Sequence, residues 1–140
     1  MKFPSLAILG VLLASATALH AQVSPIRLKV EQVSKSDKEN EKGKETRTQK
    51  RSLKLTVNNG GKVDFNGVAK FAFFGRKAGS QDVVQLDAGE RPVALKAGGT
   101  EVVETPVSNA SFTEARMDKG KKIEAEGAKF SGYGVQIFEG

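Results

Sequence analysis

Apolar and polar side chains alternate along much of the chain. Between Val23 and Val33, Ile26, Leu28 and Val30 interleave with Arg27, Lys29 and Glu31. A period of two sends the two sets to opposite faces of a pleated ribbon, so a strand with one wet face is predicted over about residues 25–33. Pro25 stands at its start, where a missing donor does little harm. The second strand is clearer: Leu53, Leu55 and Val57 alternate with Ser52, Lys54 and Thr56, and Asn58-Asn59-Gly60-Gly61 ends it with residues that tolerate positive φ. Val68 to Phe74 carries apolar residues on both parities, which predicts a central strand covered on both faces.

Shorter apolar runs follow. Val83 to Leu86 and Val93 to Leu95 flank an expected turn at Asp87-Ala88-Gly89-Glu90, and Lys96-Ala97-Gly98-Gly99 precedes Thr100 to Val107, where Val103, Thr105 and Val107 share a face. Ser111-Phe112-Thr113-Glu114 fits a capping box, which predicts a short helix through Met117 ended by Gly120. Tyr133, Val135 and Ile137 alternate with Gly134, Gln136 and Phe138, a closing strand that ties the C-terminus into a sheet.

One segment breaks the rhythm. Ser34 to Lys50 holds no aliphatic or aromatic side chain. Burial there cannot offset the entropy of ordering, so residues 34–51 are expected to be a mobile charged loop, or a solvated extension of the flanking strands whose ends pair as a long hairpin. Turn signals spaced about ten residues apart favour an all-β, antiparallel sandwich of about seven strands, immunoglobulin-like or fibronectin-III-like, in one domain over residues 22–140.

The Leu53 to Gly61 strand bounded by Asn-Gly, the aromatic run from Phe71 to Arg76, the Gly99 to Val103 strand and the closing Gly132 to Gln136 strand follow one another in an order that resembles small secreted bacterial immunoglobulin-like domains of unknown role. The resemblance spans most of residues 50–140 and implies a binding or structural module.

The N-terminus reads differently. Lys2 is followed by an apolar run from Leu6 to Leu13 and a small-residue exit through Ala16-Thr17-Ala18 to Ala21. This is the three-part pattern of a signal peptide over residues 1–21, with cleavage expected after Ala21 or alternatively after Ala18. The run is shorter than the ~20 residues a membrane-spanning helix needs, so no integral membrane segment is expected after cleavage. Cleavage after Ala21 removes Lys2, leaving 21 basic and 16 acidic side chains and a formal charge of +5. With no cysteine in the chain, the core alone must hold the fold, and a bacterial periplasmic or extracellular home is expected.

The side-chain inventory narrows the chemistry. The single histidine, His20, falls in the segment expected to be cut away, so Ser-His and Cys-His nucleophile pairs and the common zinc, copper and haem ligand sets are not expected. No serine is followed three positions later by lysine, and Gly43-Lys44, Gly61-Lys62 and Gly120-Lys121 lack the rest of a phosphate-cradling loop. Glu101 with Glu104, or Asp87 with Glu90, could serve carboxylate-driven hydrolysis, but Glu101 and Glu104 fall on opposite parities of one strand. Asp64-Phe65-Asn66-Gly67 begins like a calcium loop without the closing acid, and reads as a turn. Asn109-Ala110-Ser111 matches a glycosylation acceptor, and with a bacterial home expected the match is read as accidental. Neither catalysis nor a cofactor is expected.

Two basic segments are the candidate contacts for an anionic partner: Lys35, Lys38, Lys42, Lys44, Arg47, Lys50 and Arg51 in the first, and Lys119, Lys121 and Lys122 in the second. Asp37, Glu39, Glu41 and Glu45 dilute the first segment. No basic stripe is interleaved with stacking aromatics, so nucleic acid is not expected.

The leading expectation is a non-catalytic secreted or periplasmic module that binds an envelope protein or anionic glycan, or is structural in the envelope. A secreted inhibitor or modulator of a hydrolase, using residues 34–51 as its contact loop, comes second, and a small carboxylate-dependent hydrolase third. The chain ends at Gly140 just after a strand, so self-association through an unfilled sheet edge is a further expectation.

Overall fold

The computed structural model describes residues 24–140; the segment read as a signal peptide lies outside them. The described chain is all-β. Its strands are β1 (Ile26–Glu41), β2 (Lys44–Asn59), β3 (Phe65–Lys77), β4 (Val83–Leu95), β5 (Thr100–Glu104), β6 (Ser108–Thr113), β7 (Arg116–Asp118), β8 (Lys121–Ile123) and β9 (Glu126–Glu139). Every pairing is antiparallel.

The main sheet runs β1-β2-β6-β9-β3-β4, and β5 also pairs with β2. β5 and β6 lie end to end along one edge of β2: Thr100–Glu104 oppose Lys54–Asn58, and Ser108–Phe112 oppose Arg47–Arg51. Thr105 bridges the break, its N–H donating to the Leu53 carbonyl at 3.0 Å and its Oγ1 accepting the Leu53 N–H at 2.9 Å. β6 meets β9 only at Phe112–Thr113 against Glu126–Gly127. The sheet turns this corner into two layers, with β1, β2 and β5/β6 in one and β9, β3 and β4 in the other, in a sandwich-like arrangement.

Alternation fills the space between the layers. Ile26 from β1, Leu53, Leu55 and Val57 from β2, Phe65, Ala69, Phe71 and Phe73 from β3, Val93 and Leu95 from β4 and Ile137 from β9 are buried together. The Phe73 ring meets Phe71 and Phe130 edge-on at 6.3 and 5.5 Å. Such aromatic pairs contribute beyond their buried area. Asn59 is buried at the end of β2, yet its Nδ2 donates to the Val63 and Lys96 carbonyls and its Oδ1 accepts the Gly61 N–H.

Several expectations need correction. Of the two readings of residues 34–51, the mobile loop is not found and the solvated hairpin is: β1 and β2 pair without interruption from Ile26↔Asn59 to Glu41↔Lys44, around a two-residue turn at Lys42-Gly43. Asp87 to Glu90 is not a turn either, because β4 runs straight through it against β3 and absorbs one extra residue, Leu86, as a bulge opposite Phe73/Phe74. Pro92 is tolerated because β4 is an edge strand.

The capping-box helix is absent. Ser108, Ala110 and Phe112 alternate into the interior, so the segment is β6, and tertiary burial overrides the local capping signal. β3 is central as expected, but its outer face is only partly covered, with Lys70 exposed and its ammonium over the Phe138 ring at 4.9 Å. Val107 is exposed rather than sharing the inner face of Val103 and Thr105. The last strand pairs with β3 along Ala128–Glu139 but with β6 only at Glu126–Gly127, so among the described residues the far side of its C-terminal part carries no ladder, and neither do the free sides of β1 and β4.

Candidate functional site

The ten basic candidates are divided among two faces and two turns. Inward-facing Leu53, Leu55 and Val57 put Arg51, Gln49, Arg47 and Glu45 on that same face of β2, with Ser34, Ser36, Lys38 and Asn40 opposite them on β1. Lys35, Lys44 and Lys50 take the outer face.

On the inner face the cations already have partners. The Glu45 carboxylate accepts from Arg47 Nε at 3.0 Å and lies 3.3 Å from Lys38 Nζ, and these two cations hold its pKa below the ordinary glutamate range. The Arg51 guanidinium stacks over Phe130 at 5.4 Å and donates to the Lys35 and Lys50 carbonyls. On the outer face Lys50 reaches Asp37 at 3.4 Å and Lys44 reaches Glu126 at 2.8 Å. Lys35 directly opposes Lys50 across the ladder. The first basic segment is therefore largely neutralised within the molecule.

The tip is different. Lys42-Gly43 turns with φ of 50° and 79°, and Lys119-Gly120, which joins β7 to β8, repeats it with 48° and 81°. Positive φ at both central residues is the tight hairpin turn whose twist suits the flanking strands. Gly43 and Gly120, which begin two of the Gly-Lys dipeptides rejected as phosphate loops, thus stand at the apices of a long and a short hairpin. The structure brings the two hairpins together: the Arg116 guanidinium donates to the Gly43 carbonyl, and the Asp118 carboxylate packs where a Gly43 side chain would project. Lys42, Lys119 and Lys121 make no ion pair among the described residues, whereas Lys122 pairs with Glu124 at 3.4 Å.

Beside this tip lies a groove of about 490 Å³ between the β3–β4 turn and the corner of β6 and β9. Arg76, Lys77, Phe112, Glu114 and Lys129 line it. Arg76 is held by the Gln81 carbonyl at 2.9 Å, and Lys129 lies 3.4 Å from Glu114 and 5.5 Å from the centre of the Phe112 ring. An aromatic floor with ammonium and guanidinium groups at the rim can accept an anionic or hydroxyl-rich group. Sequence reasoning missed Arg116, Asp118 and this groove. The repeated Lys-Gly dipeptides were the available signal, since each marks a hairpin tip, but the docking of one tip on the other is a tertiary event.

The acidic candidates do not converge. Glu101 opposes Val57 and Glu104 opposes Lys54, which sends them to opposite faces, and Glu90 lies 3.9 Å from Lys70. Asp64 accepts the Ala97 N–H at 3.0 Å and sits 3.4 Å from Lys96 Nζ, so it tethers two turns to each other. Asn109 and Ser111 lie on the exposed outer parity of β6. Among the described residues no group of histidine, aspartate or glutamate side chains is arranged to hold a metal ion, and no helix is long and apolar enough to cross a membrane.

No family model matches the chain, and no curated protein matches it. Among solved structures it is similar to a crystal structure of Northeast Structural Genomics Consortium target SoR45, with 10% identity and a TM-score of 0.40 over 83% of this chain and 87% of that one.

Proposed function

We propose that this protein is an exported, non-enzymatic binding module, an immunoglobulin-related sandwich whose distal tip engages an anionic glycan or protein of the cell envelope. The observation that carries the reading is the docking of the Lys42-Gly43 turn on β7 of the short hairpin, which gathers Lys42, Lys119 and Lys121 at one end, none of them in an ion pair among the described residues. Loops at the end of a rigid sandwich are a recurrent place for recognition. The immunoglobulin kinship draws on topology: β2 beside β5/β6 in one layer and β3 beside β9 in the other follow the B–E and C–F neighbours of that fold. Export draws on the charged, apolar and small-residue succession of residues 1–21.

The test is binding to envelope extract and to a panel of acidic glycans at low and high salt. Lys42→Ala, Lys119→Ala and Lys121→Ala combined should weaken capture by about tenfold, on the scale of ~1.4 kcal/mol for three exposed charges, with the circular dichroism spectrum unchanged. Capture that ignores both salt and the triple substitution would refute the reading.

A second reading, a modulator that presents the hairpin to a hydrolase, is favoured by one observation: residues 31–41 of β1 are exposed on both parities. Removing Glu39-Asn40 with their opposed partners Glu45-Thr46 shortens the hairpin by two pairs without turning its faces over. Inhibition lost in that variant while envelope capture persists would favour the modulator.

A further inference from the structure

Among the described residues β1 pairs with β2 alone, so one edge of a sixteen-residue strand carries no ladder. The register shows which backbone groups face that edge. The Pro25 carbonyl accepts the Gly60 N–H at 2.8 Å, whereas the Ile26 N–H is taken by Ser24 Oγ at 3.1 Å and not by β2. Antiparallel ladders alternate in this respect, so the odd residues of β1 bond to β2 and the even ones, Leu28 through Asn40, aim N–H and C=O at the open side.

A long open edge is a liability that charge usually blocks. β1 is rich in charge, but the order of those charges does the opposite for one partner. Along the outer face the strand reads Arg27, Lys29, Glu31, Val33, Lys35, Asp37, Glu39. Laid antiparallel against a second copy of itself about Val33, Arg27 meets Glu39, Lys29 meets Asp37, Glu31 meets Lys35, and Val33 meets Val33. Both halves of the two-fold repeat these matches, so every charged pair on this face is of opposite sign.

Other registers that keep the same faces aligned fail. A shift of two residues in the sum of paired numbers sets Lys29 against Lys35 in one direction and Glu31 against Asp37 in the other. A shift of four sets Glu31 or Lys35 against itself. The favoured register also centres the pairing on an apolar side chain that is 48% exposed in the monomer. Because odd residues bond to β2, they meet at the open edge as non-hydrogen-bonded pairs, where side chains approach most closely. On the inner face Gln32 meets Ser34, Val30 meets Ser36 and Leu28 meets Lys38, with no like charges opposed.

We infer that two copies of this chain associate antiparallel along their β1 edges, in register about Val33, to form one continuous sheet across a two-fold axis. The partner is a second copy because the self-complementary charge order is what an isologous interface requires. Pairing also relieves an unfavourable feature of the monomer: Lys35, directly opposite Lys50 within the hairpin, gains Glu31 of the second copy. Asp37, 3.4 Å from Lys50, gains Lys29 of the second copy.

Sedimentation velocity across a concentration series tests this, with dimer expected at low salt and dissociation as salt screens the exposed pairs. Lys35→Glu opposes Glu31 at both ends of the two-fold and should weaken the dimer by about tenfold or more. Glu31→Lys should do the same, and the two together should restore it. These residues are exposed, and circular dichroism checks the fold of each variant.

The absence of native cysteine allows a second measurement. Val33→Cys should cross-link two copies under mild oxidation, whereas Asp37→Cys should not, because its twin lies roughly 27 Å away along the ladder. A monomer at every concentration, a charge-swapped double variant that stays monomeric, or equal cross-linking at positions 33 and 37 would overturn the proposal.

Discussion

The β1–β2 hairpin is one ladder in two environments. From Ile26 to Val30 on β1, and from Leu53 to Asn59 on β2, its inner face is core, and Leu55 and Val57 are wholly buried. Beyond Gln32 and Ser52 the register continues without a slip, but the inner face becomes serine, glutamine, lysine and arginine. The near half is strand because alternation buries apolar surface. The far half is strand because polar cross-links replace burial: the Gln49 Oε1 accepts the Phe130 N–H at 2.8 Å, Thr48 meets Ser111 at 2.9 Å, Thr46 meets Thr113 at 3.2 Å, and Arg51 covers Phe130. Alternation of greasy side chains is thus sufficient for a strand and not necessary for one.

The most direct way to break this comparison is to delete equivalent side chains from the two halves. Leu55→Ala should cost about 2–5 kcal/mol in urea unfolding, through lost transfer energy and the cavity left behind. Gln49→Ala should cost about 0.5–1.5 kcal/mol, the net worth of one hydrogen bond. Equal losses would mean that the two halves are held by the same forces.

Thr105 stands where the near half meets the far half, at the break between β5 and β6. It is buried, and its hydroxyl oxygen accepts the Leu53 N–H while its hydrogen is available to the Pro106 carbonyl 3.2 Å away. Thr105→Val keeps the shape and orphans that amide, at a cost of about 1–3 kcal/mol in the same unfolding measurement. A neutral result would show that the backbone bond from Thr105 to Leu53 suffices at the junction.

The same contrast explains what was legible in the sequence. β2 and the closing strand announced themselves through alternation, and the heart of β3 through apolar residues on both parities; the core residues Leu53, Leu55, Val57, Phe71, Phe73 and Ile137 lie in these runs. The far half of β1 was legible only as one of two alternatives, a loop or a solvated hairpin, since its own side chains bury nothing and its ladder to β2 holds it. Asp87-Ala88-Gly89-Glu90 has the composition of a turn, but pairing of Asp87 with Phe73 and Glu90 with Lys70 carries the strand through it. Ser111 to Glu114 has the letters of a helix cap, but Phe112 is buried and its neighbours alternate. At the site, the candidate lysines were legible one by one. Which of them keep their charge free was not, because Glu126 lies far along the chain from Lys44, and the contacts of Arg116 and Asp118 with Gly43 require the fold.

A smaller perturbation separates tip from core. Gly43 has φ of 79°, and a side chain there meets Asp118. Gly43→Ala should cost about 1–2 kcal/mol from left-handed strain alone. Its effect should be local, with faster amide hydrogen exchange in β7, β8 and the residues beside Lys42, and unchanged protection at Leu53, Leu55 and Val57. Loss of protection throughout would show that the two ends unfold as one unit.

The smallest effect concerns two carboxylates at opposite ends of the ladder. Glu45, in the far half, has its pKa lowered first by Arg47 and then by Lys38; Asp64, beside the near half, has its pKa lowered first by the backbone N–H of Ala97 and then by Lys96. Both folded values lie below the unfolded ones, so each group stabilises the fold at neutral pH, and that contribution is lost as pH falls below about 4 through the folded pKa. Salt should distinguish them. Screening weakens the attraction of exposed cations but leaves a hydrogen bond from a neutral amide largely intact. In a carboxyl-detected NMR titration, added salt should therefore raise the Glu45 pKa towards its ordinary range and move Asp64 less. A larger movement at Asp64 would show that Lys96, and not the Ala97 amide, governs it, and the far half would lose its distinction as the end held by charge.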